Sequence, residues 1–270
     1  MKNKALTLSI VIPVYNDKNH LKKCLDSIAK QSVMPDEVIV VDNNSNDGSC
    51  ELARLFPFVR VIKEKKQGVV FARNAGFDAV QTDLIGRIDS DTILPVSWVE
   101  YIKGFYSNPD NHNQALTGGG YFYNIRMPKF TSWWQDQVVF RCNRLLLGHY
   151  ILYGSNMAIT REQWLDVRVD VCDNIDMHED LDLAIHLHKI GYEITYHENL
   201  KVGVLMRRVI TNRQELWGNM MWWPKTLKLH GKKTWVLGWF GAVFFYVLSP
   251  IGPITEKMAR LAGRTPLSEN

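Results

Sequence analysis

Residues Gly86–Pro95 read GRIDSDTILP. The run that leads into them, Asp83–Ile88 (DLIGRI), has the apolar character of a buried strand, yet it ends in Asp89-Ser90-Asp91. Two carboxylates one residue apart repel each other, and removing water from either is costly. A strand with this ending calls for positive charge supplied from outside the sequence.

The flanking sequence says what kind of charge. LTLSIVI (6–12) is an apolar run expected to end at Pro13, and Leu21, Cys24, Leu25 and Ile28 then recur at helical spacing. EVIVV (37–41) reads as a second strand, and DNNSNDGS (42–49) as a turn running into a helix. VRVI (59–62) is a third strand, VVFARNAGFDAV (69–80) a helix, and LIGRI (84–88) the fourth strand. Alternation of this kind predicts an α/β fold, a Rossmann-like, mostly parallel sheet with helices on both faces. Ligands bind such sheets beyond the carboxyl ends of the strands, where Asp42, Asp89 and Asp91 collect. Paired carboxylates there suit a hard divalent cation, Mg²⁺ or Mn²⁺. Mg²⁺ usually takes one or two protein carboxylates and completes its shell with water and phosphate, so the expected partner is a diphosphate. The competing reading makes Asp91 a cap for the helix around PVSWVEYIKGFY and Asp89 a loop acid.

Composition narrows the class. At 270 residues the chain is one large domain, or one domain and an appendage. A net charge of +4 is too small to argue for nucleic acid as a partner. The four cysteines (Cys24, Cys50, Cys142, Cys172) lack a C-x-x-C pair, which suggests reduced thiols in a cytosolic setting. The first residues, MKNKALTLSIVIPVYN, read as a strand and not as a signal peptide.

SIVIPVYND, VIVVDNNSNDGS, GVVFARNAGF, GRIDSDTILP, GSNMAITRE and HEDLDLAIHLHKIGY occur in this order over about residues 6–197. As an ordered set they resemble glycosyltransferase family 2, inverting transferases of the GT-A fold that use nucleotide diphosphate sugars. The resemblance implies roles. Asp42 would accept from the nucleotide base, on which the loop of Pro13 and Tyr15 packs. Arg73 and Asn74 would be donor-site residues. Asp89 and Asp91 match the D-x-D that meets ribose and metal, with Asp91 the direct ligand and Ser90 counted among the nucleotide-sugar contacts. Gly154, Ser155 and Asn156 would line the donor sugar and acceptor. His197 would complete the metal shell. Apart from the resemblance, Arg207 and Arg208 could meet the diphosphate, since arginine pairs well with phosphate oxygens, or equally be surface charges of the basic stretch. Bland alternatives stay open: Asp42 supports its own turn, Tyr15 is a core aromatic, Arg73 is a solvated helix charge and His197 is structural.

Inverting transfer needs a carboxylate to take the acceptor's proton, typically worth roughly 10² to 10⁴ in rate. HEDLDLAIHLHKIGY reads as a helix ended by Gly191, with His178, Glu179 and Asp180 in its first turn. The family's E-D implies Asp180 as base with Glu179 beside it, and Asp182 is the alternative. Acids in a first helical turn also simply favour the helix dipole.

The end of the chain departs from a minimal transferase. Lys201–Lys233 holds eight Lys/Arg and one acid, Glu215. Thr234–Thr255 is 22 residues without charge, and five of the nine tryptophans fall between Arg213 and Lys257. We therefore expect a transferase domain over 1–205 and a helical C-terminal region over 206–270. Pro250 and Pro253 leave too short a regular helix to span, so the segment is expected to lie in the membrane interface, or to dip in and return, with both flanks on the cytoplasmic side. The alternative is a core or dimer surface. The expected activity is a hexosyltransferase that uses a UDP-sugar, as a first guess, to build cell-envelope glycan, polysaccharide or glycolipid on a glycan or lipid-linked acceptor. Its rivals are a nucleotidyltransferase, disfavoured by the glycine-free loop PVYNDKNH, and a catalytically inactive membrane-bound scaffold.

Overall fold

The computed structural model describes residues 5–124, 128–206 and 213–248. Within them one seven-stranded sheet has the order β3-β2-β1-β4-β6-β5-β7. The strands are β1 (Leu8–Val14), β2 (Glu37–Asp42), β3 (Val59–Lys63), β4 (Leu84–Arg87), β5 (Gln114–Phe122), β6 (Met157–Thr160) and β7 (Glu193–Val204). β1 pairs in parallel with β2 and β4, β2 with β3, and β5 with β7; β6 alone runs antiparallel, between β4 and β5. The four N-terminal strands and the helices α1 (Lys18–Ile28) and α3 (Val69–Ala79) fall where the apolar pattern puts them.

Alternation along the strands divides the core. Ile10, Ile12, Val38 and Val40 face α1 and α4 (Trp98–Tyr106), meeting Leu21, Leu25, Trp98 and Ile102. Val11, Ile39 and Val41 face the other way, toward Phe77 of α3, Trp164 of α7 (Arg161–Val167) and Leu183 and Leu187 of α8 (Glu179–Lys189). Successive strand residues point to opposite faces, so a strand buried on both sides must be apolar throughout. Each large aliphatic side chain buried this way contributes about 1.5–3 kcal/mol.

Pro13 does not end β1. It is buried within the strand, paired with Val41 of β2. The Ile88 N–H donates to the Val11 carbonyl, so odd-numbered residues of β1 direct their backbone groups toward β4. Pairing with β4 stops at Val11, so no ladder bond is lost where proline lacks its N–H. The exposed loop therefore starts at Tyr15.

The remaining helices are α2 (Ser49–Ala53), α5 (Pro128–Trp134), a π-helical turn at Gln135–Cys142, α6 (Asn143–Leu147), α9 (Arg213–Leu229) and α10 (Trp235–Leu248). A third cluster joins Phe140, Leu147 and Ile151 to Leu181 and Ile185 of α8 and Leu227 of α9, with Trp223 and Trp235 packed against it. Those two tryptophans, expected at a membrane, thus face protein. Among the described residues no helix is long and apolar enough to cross a membrane. The expected interfacial segment continues past Leu248, and that part, with Arg207 and Arg208, lies outside the described residues.

Candidate active site

Three segments meet at one sheet edge: the exit of β4, the entry to β6 and the first turn of α8. The antiparallel register pairs Arg87 with Met157, which sets Gly154-Ser155-Asn156 beside Ile88-Asp89-Ser90. α8 packs on the sheet through Leu183, Ala184 and Leu187, and this delivers Glu179 and Asp180 to the same edge.

Arg87 is the centre of the arrangement. Its side chain is buried, yet it holds three carboxylates: Nη1 to Asp180 Oδ1 at 2.7 Å, Nη2 to Asp89 Oδ1 at 2.9 Å and Nη2 to Glu179 Oε1 at 3.2 Å. The charge that the opening decapeptide demands is therefore partly inside it, two residues before Asp89. Burial opposes the charged guanidinium, but Asp180, Asp89 and Glu179 outweigh it and hold Arg87 firmly protonated. An arginine in a fully buried strand needs acidic partners, and that signal was present in DLIGRI.

Asp180 Oδ2 also accepts from the Gly154 N–H at 2.8 Å. Burial pushes the Asp180 carboxyl up to about 6, against the pull of Arg87. Asp182, two residues on, is shifted the other way. Burial would raise it, but His186, His230 and the Cys172 N–H more than reverse that, and its carboxyl lies far below the usual range. Two carboxylates two residues apart on α8 are thus pushed in opposite directions, a pattern that separates acid–base groups from fixed charges. Asp182 is fully buried among those partners and takes no part in the Arg87 cluster.

The D-x-D is tied to its neighbours. The Ser155 hydroxyl donates to Asp89 Oδ2, and the Ser90 hydroxyl donates to Asp17 Oδ2. The Tyr123 hydroxyl donates to the Asp91 carbonyl at 3.3 Å. Asp17 was not singled out from the sequence. It is buried, it meets His20 Nδ1 at 2.6 Å, and with Asp91 and Asp89 it helps raise the buried Cys24 thiol, after burial itself. The field at this edge is therefore negative, and its donors are carboxylate oxygens, which fits a hard divalent cation.

Other expected site residues have structural partners. Asp42 is buried and accepts from the Ser45 N–H at 3.1 Å, closing its own turn beside exposed Tyr15. Arg73 is fully buried beneath the start of α8. Its Nη1 donates to the Glu179 carbonyl at 3.1 Å, and its Nε donates to Asn74 Oδ1 at 2.9 Å. It is not a solvated helix charge; it holds the turn that carries Glu179. The Asn74 amide donates to Asp173 at 3.0 Å. Asn156 is fully buried: its oxygen accepts from Trp98 Nε1 at 2.8 Å, and its amide donates to the carbonyls of Leu200 at 2.7 Å and Gly119 at 2.9 Å.

His197, expected to complete the metal shell, lies against α4. Its Nδ1 meets the Tyr101 hydroxyl at 2.6 Å, and its ring packs edge-on against Tyr101 and Phe105. Among the described residues His197 does not converge with Asp89 and Asp91 into one ligand group. Aromatic packing from α4 claims the imidazole.

The sequence model of glycosyl transferase family 2 matches residues 9–168, which include β1, the D-x-D and the entry to β6. The chain belongs to glycosyl transferase family 2. Glycosyltransferase GlyA of Streptococcus pneumoniae serotype 4 is 30% identical over 121 residues, 43% of this chain and 17% of GlyA. Glycosyltransferase AglE of Haloferax volcanii is 34% identical over 100 residues, 34% of this chain and 33% of AglE. The matched segments thus cover a third or less of these relatives. The fold is shared with the mannosyltransferase PcManGT from Pyrobaculum calidifontis, solved with GDP-Man and Mn²⁺, at a TM-score of 0.65 and 17% identity, over 98% of this chain and 78% of that one. This family 2 member accordingly has a GT-A-like fold.

Proposed function

We propose that this glycosyltransferase moves a sugar, with inversion, from a nucleotide diphosphate sugar to a hydroxyl or phosphate acceptor in cell-envelope glycan, polysaccharide or glycolipid synthesis. The observation that carries the reading is the convergence of Asp89, the first acid of the D-x-D, with Glu179 and Asp180 on Arg87. A UDP-sugar is the first choice of donor, on family frequency. The GDP-Man and Mn²⁺ bound to the mannosyltransferase support a nucleotide sugar and a divalent cation as the general pair.

Asp91 and Asp89 would hold the cation, Mg²⁺ or Mn²⁺, which when bound supplies Lewis-acid stabilisation of charge on the leaving diphosphate. Tyr15 and Asp42, at the ends of β1 and β2, would border the base. Asp180 would take the acceptor's proton. A carboxyl pushed up to about 6 is ionised at neutral pH and still has appreciable affinity for a proton. Arg87 and the Gly154 N–H would orient it, and Ser155 would fix Asp89.

The test is nucleotide release from a panel of nucleotide sugars with Mn²⁺ or Mg²⁺. Chelator should abolish it, and Asp91→Ala should do so with an unchanged melting curve. Asp180→Asn should keep donor binding and cut turnover by about 10² or more. Equal turnover of Asp91→Ala in chelator would remove the metal from the account. A loss on Glu179→Gln with Asp180→Asn unaffected would move the base to Glu179.

A second observation supports attachment to a membrane surface. Leu237, Phe240, Phe244 and Val247 recur along one face of α10 and are all more than half exposed, with Trp239 beside them. An apolar helical face of this kind lies in the interface plane, and the lysines before it favour anionic lipid. The full-length chain is expected to sediment with anionic vesicles, whereas Phe240→Glu/Phe244→Glu stays in the supernatant and still releases nucleotide. Equal partition of the two proteins would leave the face as a contact between protein surfaces.

A further inference from the structure

A second cluster of chemically active side chains lies behind α8, apart from the Arg87 cluster. Cys172 stands in the segment between α7 and α8, Asp182 and His186 one turn apart on α8, and His230 immediately after α9. One ligand atom from each of the four lies within 4.8 Å of all the others. Asp182 Oδ1 is 2.8 Å from His230 Nε2 and 3.4 Å from His186 Nε2. The Cys172 N–H donates to Asp182 Oδ2 at 3.0 Å, which holds the thiol-bearing residue against the carboxylate. The two imidazole rings stand edge to face, their centroids 4.9 Å apart.

Hydrogen bonding alone does not account for the group. His186 Nε2 is buried and faces the cluster, and its one contact there, Asp182 Oδ1 at 3.4 Å, falls outside good hydrogen-bond geometry. Buried polar nitrogens are nearly always satisfied. The ligand types also select a metal. One thiol, two imidazoles and one carboxylate form a mixed S, N₂, O set that suits a tetrahedral Zn²⁺ and does not suit the oxygen-seeking Mg²⁺ or Mn²⁺ of the D-x-D. Four protein ligands leave no open position, which is the mark of a structural zinc site and not a catalytic one.

We propose that Cys172, Asp182, His186 and His230 bind a structural Zn²⁺, with Cys172 losing its thiol proton to solvent as the Zn–S bond forms. Such a site would join three stretches of chain: the segment leading into the catalytic turn, α8 itself, and the end of α9. It would lock the C-terminal helices onto α8, two residues from Asp180. This inference does not depend on the donor chemistry proposed above.

The test uses the full-length chain, stripped with chelator and dialysed, then reloaded with Zn²⁺ alone or Co²⁺ alone. Metal analysis should find one tightly held zinc per chain, and the Co²⁺ form should show thiolate-to-metal charge-transfer absorption. Cys172→Ser should lose that absorption and the tight zinc, and should melt at the temperature of the stripped wild type. Asp91→Ala should keep both, which separates this site from the D-x-D. An absorption absent from the wild type, surviving in Cys172→Ser, or lost in Asp91→Ala overturns the proposal. A melting temperature of the wild type that does not rise with Zn²⁺ overturns it as well.

Discussion

Arg87→Met will lower the melting temperature by roughly 6–20 °C and remove turnover. The size follows from breaking a buried ion cluster, which costs about 3–5 kcal/mol, at about 2–4 °C per kcal/mol for chains near this length. Methionine keeps the length of the side chain and deletes the charge, leaving Asp180, Glu179 and Asp89 facing one another without a cation. Arg87→Lys will recover only part of the loss, because one ammonium does not reproduce a planar fork that serves Asp180 through one nitrogen and Asp89 and Glu179 through the other. Thermal unfolding of both variants checks this. A Met variant melting within about 2 °C of wild type, less than 1 kcal/mol, would show that the three acids do not depend on Arg87.

Gly154→Ala will be as damaging as the loss of Arg87. A Cβ built on Gly154 would lie 1.1 Å from Arg87 Nη1, 2.3 Å from its Cζ and 2.4 Å from Asp180 Oδ2. No side-chain adjustment clears the first contact while the ion pairs survive, so the cluster must break or the backbone must move. Overpacking alone costs about 1–3 kcal/mol, and a broken cluster adds the penalty just described. The double variant Gly154→Ala/Arg87→Met should lose less than the two single losses combined, since removing the guanidinium relieves the clash. Gly104→Ala, in the interior of α4 with nothing within 4 Å of the new methyl group, should instead stabilise by about 0.4–1 kcal/mol. If Gly154→Ala melts like Gly104→Ala, the close packing of β6 against Arg87 is wrong.

Much of this architecture is legible in one dimension. β1, β2 and β4 follow from apolar runs, because burial on both faces of a sheet leaves a one-dimensional record, while half-exposed β3 at the sheet edge follows from its valines and isoleucine, and the helices from spacing. The D-x-D is equally plain, since charge at the end of an apolar run is a local contrast. For Arg87 the strand DLIGRI shows a charge that needs acids but not which acids: its partners are Asp180, 93 residues on, and Glu179, 92 residues on, and no local pattern couples them. The surroundings of His197 are hidden from the sequence on the same ground. Its residue type suggests a ligand, but Tyr101 and Phe105, which claim it, come from a helix nearly a hundred residues earlier. Pro13 misled in the other direction, because a proline inside a strand is tolerated only where the neighbouring ladder has stopped, and that depends on the length of β4.

The long separation between Arg87 and its carboxylates also bears on the order in which the molecule assembles. β1 to β4 form from consecutive strand–helix units, and β1 finds β4 across 76 residues, as Leu8↔Leu84. Non-local closures are slow because loop entropy is lost before contacts reward it, and domains generally form from the N-terminus during synthesis. An early intermediate built from β1–β4 would keep the guanidinium in water, since only Asp89 of its three partners has yet been made. Docking of α8 then dehydrates the arginine, neutralises it and brings Asp180 to the D-x-D in one event. The docking of α8 that completes the Arg87 cluster would then also be the step that assembles the proposed acid–base site.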